Sequence, residues 1–290
     1  MKPAAFQYVA PTSLALALAA LSDYGDWARL IAGGQSLVPM MNMRLAQPAV
    51  LIDLNRLPEL DGIERTGDGL VIGATVRHHD LATSSLVRDL CPVLAVAAAS
   101  IGHYAIRQRG TIGGSLAHAD PAAQLPLVAV LLDAEVEVAS ATGRRRVAAR
   151  DFFQGIMTTA LAADELITAV RLPPMPPSWG WGFHLFERRA GDFAIALAAA
   201  IADLDPAGRI AGLRVAVGGV EARPVLWTDV AGNWVGQTPG DGVAAALASH
   251  IVSRLQAEDD PRIPAVYRRE LAAVMVKRAV VDAFTRAGRG

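Results

Sequence analysis

Residues 173–177 read Pro173-Pro174-Met175-Pro176-Pro177, four prolines in five positions of a 290-residue chain. Proline has no backbone N–H, and its ring pushes the preceding residue out of the helical region. Such a segment fits neither a helix interior nor a central strand. It divides the chain into a front unit expected over 1–174 and a back unit expected over 178–290. Units of that size bury cores large enough to need neither metal nor disulfide. With 52% apolar and 19% charged residues, the composition is globular and far from that of a disordered chain.

The front unit alternates helical and strand patterns. A helix is expected over 11–22, with Leu14, Leu18 and Leu21 at helical spacing, Thr12 and Ser13 as caps, and Gly25 beyond its end. Short apolar strands are expected at 28–32, 50–54 and 70–74, and an alanine-rich helix at 92–102. The segment 110–115 reads as a turn, and Asp120-Pro121 as a helix start with Asp as cap and Pro at the first helical position. Residues 135–139 and 144–148 alternate around Thr142-Gly143 as a hairpin. Past the prolines, 182–186, 193–203 and 210–217 read as antiparallel strands. Helices are expected over 243–255 and 266–285, the second with Tyr267, Leu271 and Val274 on one face. The fold class is α+β.

Several function classes fall away. Basic residues (27) balance acidic ones (28), so the cationic footprint of a nucleic-acid binder is missing. The apolar runs, such as 193–202, are about half the length of a membrane span. No charged-then-apolar leader opens the chain. One cysteine, Cys91, excludes an internal disulfide and a cluster ligated within this chain, and points to the cytoplasm. Next to Pro92 in an apolar stretch, it reads as an inert buried thiol. His78 and His79 are adjacent and point to different sides of a helix, no H-E-x-x-H occurs, and no metal site is expected. Arg144-Arg145-Arg146 reads as a solvated strand edge, and no G-x-S-x-G elbow is present.

Two glycine pairs carry the chemistry. They are Ala32-Gly33-Gly34-Gln35-Ser36-Leu37 and Thr111-Ile112-Gly113-Gly114-Ser115. Glycine permits positive φ and close backbone approach, and a turn of successive N–H groups holds phosphate oxygens without a lysine. Ser36, Thr111 and Ser115 add hydroxyls. Two such turns could grip the two phosphates of a dinucleotide; each pair could equally be only a tight turn. Neither is a Rossmann fingerprint, since no G-x-G-x-x-G occurs and Pro39 stands where the following helix should run. Neither is a P-loop, since no Gly-Lys-Ser/Thr follows. His118, just beyond the second pair, is open to a cofactor-side role.

Taken with their continuations to Ala46 and Pro121, these segments resemble those of the FAD-binding medium subunits of the molybdenum hydroxylases, the family of xanthine dehydrogenase and carbon monoxide dehydrogenase. The stretches 155–159, 165–173, 188–194 and 267–279 resemble family segments in family order, so the likeness covers nearly the whole chain. It implies a two-part FAD-binding domain of the vanillyl-alcohol-oxidase (PCMH) type, with sub-lobes of about 1–55 and 56–174. A smaller domain of antiparallel sheet and helices would follow. It implies FAD pyrophosphate on Ala32, Gly33, Gly34, Gln35, Ser36 and Leu37 and on Thr111, Ile112, Gly113, Gly114 and Ser115. Asp120 and Gln124 match positions near the adenosine ribose. Ile167 matches a backbone contact to the flavin ring, and Phe193 an aromatic covering one ring face. Ser115 stands where the family usually has Asn, and Gln124 where an acidic residue is common.

The resemblance implies that FAD is this chain's cofactor and that the chain is an electron-transfer subunit. Molybdopterin would sit on a large partner subunit and 2Fe–2S clusters on a small one, the whole a dimer of heterotrimers in the cytoplasm. Arg107 and Arg109 are candidates for the small-subunit surface or for capping local carbonyls. N-heterocycles, aldehydes and carbon monoxide are the substrate classes implied. The alternatives are a non-redox nucleotide-binding protein and a stand-alone FAD oxidase.

Overall fold

The computed structural model describes residues 2–257, 259 and 263–288; positions 1, 289 and 290, the outer ends of the two expected units, lie outside them. The architecture is α+β, as expected. First comes a small parallel sheet in which Val50–Asp53 runs between Gln7–Val9 and Ala28–Ile31. All four residues of the central strand are buried. The helix Leu14–Tyr24 turns Leu14, Ala17 and Leu21 inward. It starts at Leu14 rather than residue 11 because Ser13 is the cap: its backbone is extended and its Oγ accepts from Leu16 N at 3.3 Å.

The second sheet is antiparallel, in the order Ile63–Thr66, Gly69–Gly73, Leu166–Leu172, Glu135–Ser140, Gly143–Ala148. The expected hairpin is its outer edge, with Val138 opposite Arg145 and Glu137 opposite Arg146. Arg144 and Arg146 lie on one face, each with a nitrogen 3.5 Å from a carboxylate (Glu137 and Glu135, respectively). Arg145 faces the other way and clasps Glu165 with two contacts of 2.6 Å. The helices Pro92–Ala99, Ile112–His118 and Gln124–Leu131 contribute to the same core. Cys91 is buried there as a free thiol whose pKa is pushed up to about 12 by burial, the inert role expected.

The third sheet orders Gly180–Phe186, Ala196–Leu204, Ile210–Gly218 and Val225–Leu226, all antiparallel. Its second strand is buried on both faces. Leu197, Ala199 and Ile201 join the core of the front unit, while Ala196, Ala198, Ala200 and Ala202 join a core with the C-terminal helices. This accounts for a continuous apolar run without alternation. The strand begins at Ala196, not residue 193; Phe193 belongs to the preceding loop.

The last helix is Ala265–Ala287, and the face carrying Tyr267, Leu271 and Val274 is not the one it buries most deeply. Tyr267 and Val274 are 44% and 43% exposed, while Ala272, Met275, Val276, Ala279, Val280 and Ala283 face the sheet. Close approach selects small residues for the contact face. A β-carbon on Gly182 would lie 2.0 Å from the Ala279 carbonyl oxygen, and one on Gly180 1.8 Å from that of Ala283. Among the described residues no helix is long and apolar enough to cross a membrane.

That packing makes a prediction. Gly182→Ala forces backbone apart and should lower stability by about 1–3 kcal/mol or more, the usual range for overpacking. Gly242→Ala, whose β-carbon meets nothing within 4 Å, should leave the urea midpoint unchanged or raise it. Equal midpoints for both variants would show that the helix shifts at no cost.

Candidate functional site

The two glycine pairs meet. Ala28–Ile31 delivers the first pair from the parallel sheet, and the second opens the helix Ile112–His118. A β-carbon on Gly33 would lie 2.2 Å from the Arg109 carbonyl oxygen and 2.8 Å from Gly110 Cα. Gly33 is therefore glycine for approach, whereas Gly34 takes φ +71, the left-handed region that favours glycine. Between and below them lies a cavity of ≈ 600 Å³, within the usual range for cofactor sites.

The pairs differ in what they offer. From Gly33 to Leu37, five consecutive backbone N–H groups donate to no acceptor within the described residues. The Ser36 hydroxyl caps nothing, although a short helix, Leu37–Asn42, follows. Pro39 sits in its first turn, where its missing N–H has no intrahelical partner to lose, so the expectation that no helix follows is corrected. In the second pair the N–H groups are taken. Ile112 N donates to Val76 O at 3.0 Å, Gly113 N to Ala74 O at 2.9 Å, Gly114 N to Thr111 Oγ1 at 3.1 Å and Ser115 N to Thr111 O at 3.0 Å. This is a capped helix start laid on the chain after Gly69–Gly73, not the expected turn of free N–H groups. Gly113 is small because a β-carbon there would meet Ala74 at 2.7 Å.

Of the residues singled out in the sequence, Ala32, Gly33, Gly34, Gln35, Ser36, Leu37, Thr111, Gly114, Ser115, Asp120, Gln124 and Phe193 line the cavity; Ile112, Gly113 and Ile167 do not. Ile112 and Ile167 are 2% and 5% exposed in the core. Asp120 caps a turn, its Oδ1 accepting from Ala122 N at 2.8 Å, and the helix expected at Pro121 begins at Gln124. Gln124 is buried at the cavity wall, its Nε2 3.4 Å from Ser100 O. Phe193 is 64% exposed at the rim. Its loop is fixed by Gly191 N donating to Glu187 Oε1 at 3.0 Å and by Gly191 packing on His103. His118 lines the cavity as well.

Sequence reasoning passed over Glu165 and gave His78 no role, yet both line the cavity. Glu165 is held by Arg145, whose guanidinium keeps its carboxyl below the usual carboxylate range. Nothing in a lone Glu or in Arg145 announces that pairing. His78 is 6% exposed, with Nε2 3.0 Å from Thr111 O and Nδ1 unpartnered. Burial pushes its pKa down to about 4, and Arg107 and Arg77 add to the effect. Arg107 caps the carbonyls of Ile101 and Gly102, the local of its two expected roles. No metal-holding group of His, Cys, Asp or Glu exists among the described residues.

The donor set suits an anion. The residues carrying the free N–H groups and the hydroxyls of Ser36 and Ser115 line the cavity; of its carboxylates, Glu165 is bound to Arg145, Asp120 also accepts from its own turn, and Asp192 accepts no hydrogen bond among the described residues. The segment 4–175 matches the family model "FAD binding domain in molybdopterin dehydrogenase", and 181–283 matches "CO dehydrogenase flavoprotein C-terminal domain". The chain belongs to the molybdopterin dehydrogenase flavoprotein family. It is an FAD-binding oxidoreductase subunit. It is 40% identical over 286 residues to the nicotine 6-hydroxylase medium subunit of Paenarthrobacter nicotinovorans, covering 99% of this chain and all of that one. It is 37% identical to the carbon monoxide dehydrogenase medium chain of Afipia carboxidovorans, with 99% of both chains covered. The solved carbon monoxide dehydrogenase of Hydrogenophaga pseudoflava superposes with a TM-score of 0.95 at 36% identity, covering 99% of both chains.

The buried neutral His78 has a measurable consequence. The unfolded chain accepts a proton there below about pH 6.5, the folded chain only near pH 4. Its contribution is intact above pH 6.5 and lost as pH falls through that window, by up to about 3 kcal/mol. Urea unfolding at pH 7 and pH 5 should therefore show a smaller acid loss for His78→Gln than for the unsubstituted protein. Identical losses would mean that His78 is free to titrate in the fold.

Proposed function

We propose that the chain carries FAD across the cavity as the electron-transfer subunit of a heterotrimeric molybdenum hydroxylase. The observation behind this reading is the row of five free N–H groups from Gly33 to Leu37, facing a cavity rimmed by an exposed aromatic, Phe193. The first segment takes the pyrophosphate through backbone donors. Ser115 supplies a hydroxyl from the opposite wall. Gln124, buried and uncharged, accepts or donates to ribose hydroxyls beside Asp120. Ile167 would act through its backbone and Phe193 through its ring face.

When bound, FAD supplies the redox chemistry, exchanging single electrons with a partner's cluster and electron pairs with an external acceptor. The chain's own residues bind, orient and exclude water; no side chain in the cavity is assigned to substrate chemistry. The partners are a 2Fe–2S small subunit and a molybdopterin large subunit, assembled as a dimer of heterotrimers in the cytoplasm. An N-heterocycle, an aldehyde or carbon monoxide is the substrate of the complex, and the nicotine hydroxylase relative supports the first. The working units are 1–174 for FAD and 178–290 for the smaller domain.

Two measurements test this. The purified full chain should be yellow yet reduce no dye with any substrate of the family until both partners are added, because one cysteine cannot hold a cluster. Substrate-dependent turnover by the chain alone would overturn the subunit reading. Phe193→Ala should keep FAD but change its fluorescence and potential, with a stacking loss of about 1 kcal/mol. An unaltered flavin spectrum and potential would remove Phe193 from the ring face.

A further inference from the structure

The same carbonyl that Gly33 approaches, that of Arg109, is held from the other side. Arg77 Nη1 donates to Arg109 O at 2.6 Å, and Arg77 Nη2 donates to Asn55 Oδ1 at 2.6 Å. Asn55 Nδ2 in turn donates to Ala32 O at 2.9 Å, the carbonyl that opens the first glycine segment. Asn55 is fixed by Asp53 at the end of the central strand: its N–H donates to Asp53 Oδ1 at 3.0 Å, and Tyr8 donates to Oδ2. The backbone of Arg77 also pairs with Thr111. One guanidinium thus reaches the residue before Gly110-Thr111 and, through one amide, the residue before Gly33-Gly34.

We propose that Asn55 and Arg77 form a positioning strut that sets the distance between the two glycine segments and keeps the first one open for the diphosphate. The physical reason lies in the Arg109 oxygen. It is an acceptor beside Gly33, where the row of five unpaired N–H groups begins, and a carbonyl that turned toward that row would compete with an anion for the same donors. With Arg77 on that oxygen and Asn55 on the Ala32 oxygen, both carbonyls are engaged and the N–H groups stay free. Arginine suits the task because its planar fork serves two acceptors at once; lysine would serve one as a point charge. The proposal rests on the flavin reading above.

The test is FAD titration of the flavin-free full chain, with visible circular dichroism of the bound flavin and thermal denaturation of the flavin-free protein beside it. Asn55→Ala and Arg77→Gln should each weaken FAD binding roughly tenfold, the order of a lost charge-assisted bond. Arg77→Lys should fall between Arg77→Gln and the unsubstituted protein. The double variant should bind no worse than the poorer single one, because the two residues act as one link. The flavin dichroism should change while the flavin-free midpoint does not. Unchanged affinity in Asn55→Ala and Arg77→Lys, strictly additive losses, or losses mirrored in the flavin-free midpoint would each overturn the strut. Failure of the unsubstituted chain to bind FAD would overturn the flavin reading itself, and the strut with it. Should Arg77→Gln not fold, Asn55→Ala and Arg77→Lys carry the comparison.

Discussion

Where Gly33 meets Arg109, the first glycine segment and the chain leading into the second touch backbone to backbone. A β-carbon at Gly33 would lie 2.2 Å from a carbonyl oxygen, a distance no side chain tolerates. The remainder of the site follows from that approach. It brings the end of the parallel sheet against the start of the helix Ile112–His118, and so closes a cavity of ≈ 600 Å³ between elements that share no strand ladder. It also places an open row of backbone donors opposite a hydroxyl-bearing helix. The donors offered to an anion here are peptide groups; of the three carboxylates that line the cavity, Glu165 is engaged by Arg145 and Asp120 by its own turn, while Asp192 lies on the loop of Phe193.

The two glycine pairs look alike in the sequence and do different work. Their conspicuousness is physical, since glycine is favoured at a positive φ and needed at a close backbone contact, and this made both segments visible. What separates them is the identity of their partners. In the second segment Ile112 and Gly113 donate to Val76 O and Ala74 O, just past a strand far back in the chain, and Gly114 and Ser115 donate to Thr111. No local pattern encodes which carbonyl will arrive. The resemblance to the family carried the cofactor, and its ligand positions fell on the cavity wall except for Ile112, Gly113 and Ile167.

The same distinction explains the elements that came out differently. The hairpin around Thr142-Gly143 was readable because its signal is a two-residue turn between alternating runs. The last helix was readable as a helix but its buried face was not, because Tyr267, Leu271 and Val274 are the larger apolar residues, whereas the sheet takes small ones opposite Gly180 and Gly182. Phe193 was drawn into a strand by its apolar neighbours; pairing begins at Ala196, beyond a loop that Glu187 and His103 hold in place. Asn55, Arg77 and His78 carry no sequence signal, since a polar residue becomes a support only when the chain returns to give it an acceptor.

The strand Ala196–Leu204 makes the four prolines a joint in the chain rather than a seam in the protein. One of its faces completes the core of the front unit, and the helix Gln124–Leu131, every residue of it buried, packs against its sheet. A protease that cut between Pro173 and Ser178 would sever one covalent link and leave this shared wall closed. The two fragments would stay together as a nicked molecule, whereas a front unit made without its wall would present a bare apolar helix to the solvent and aggregate.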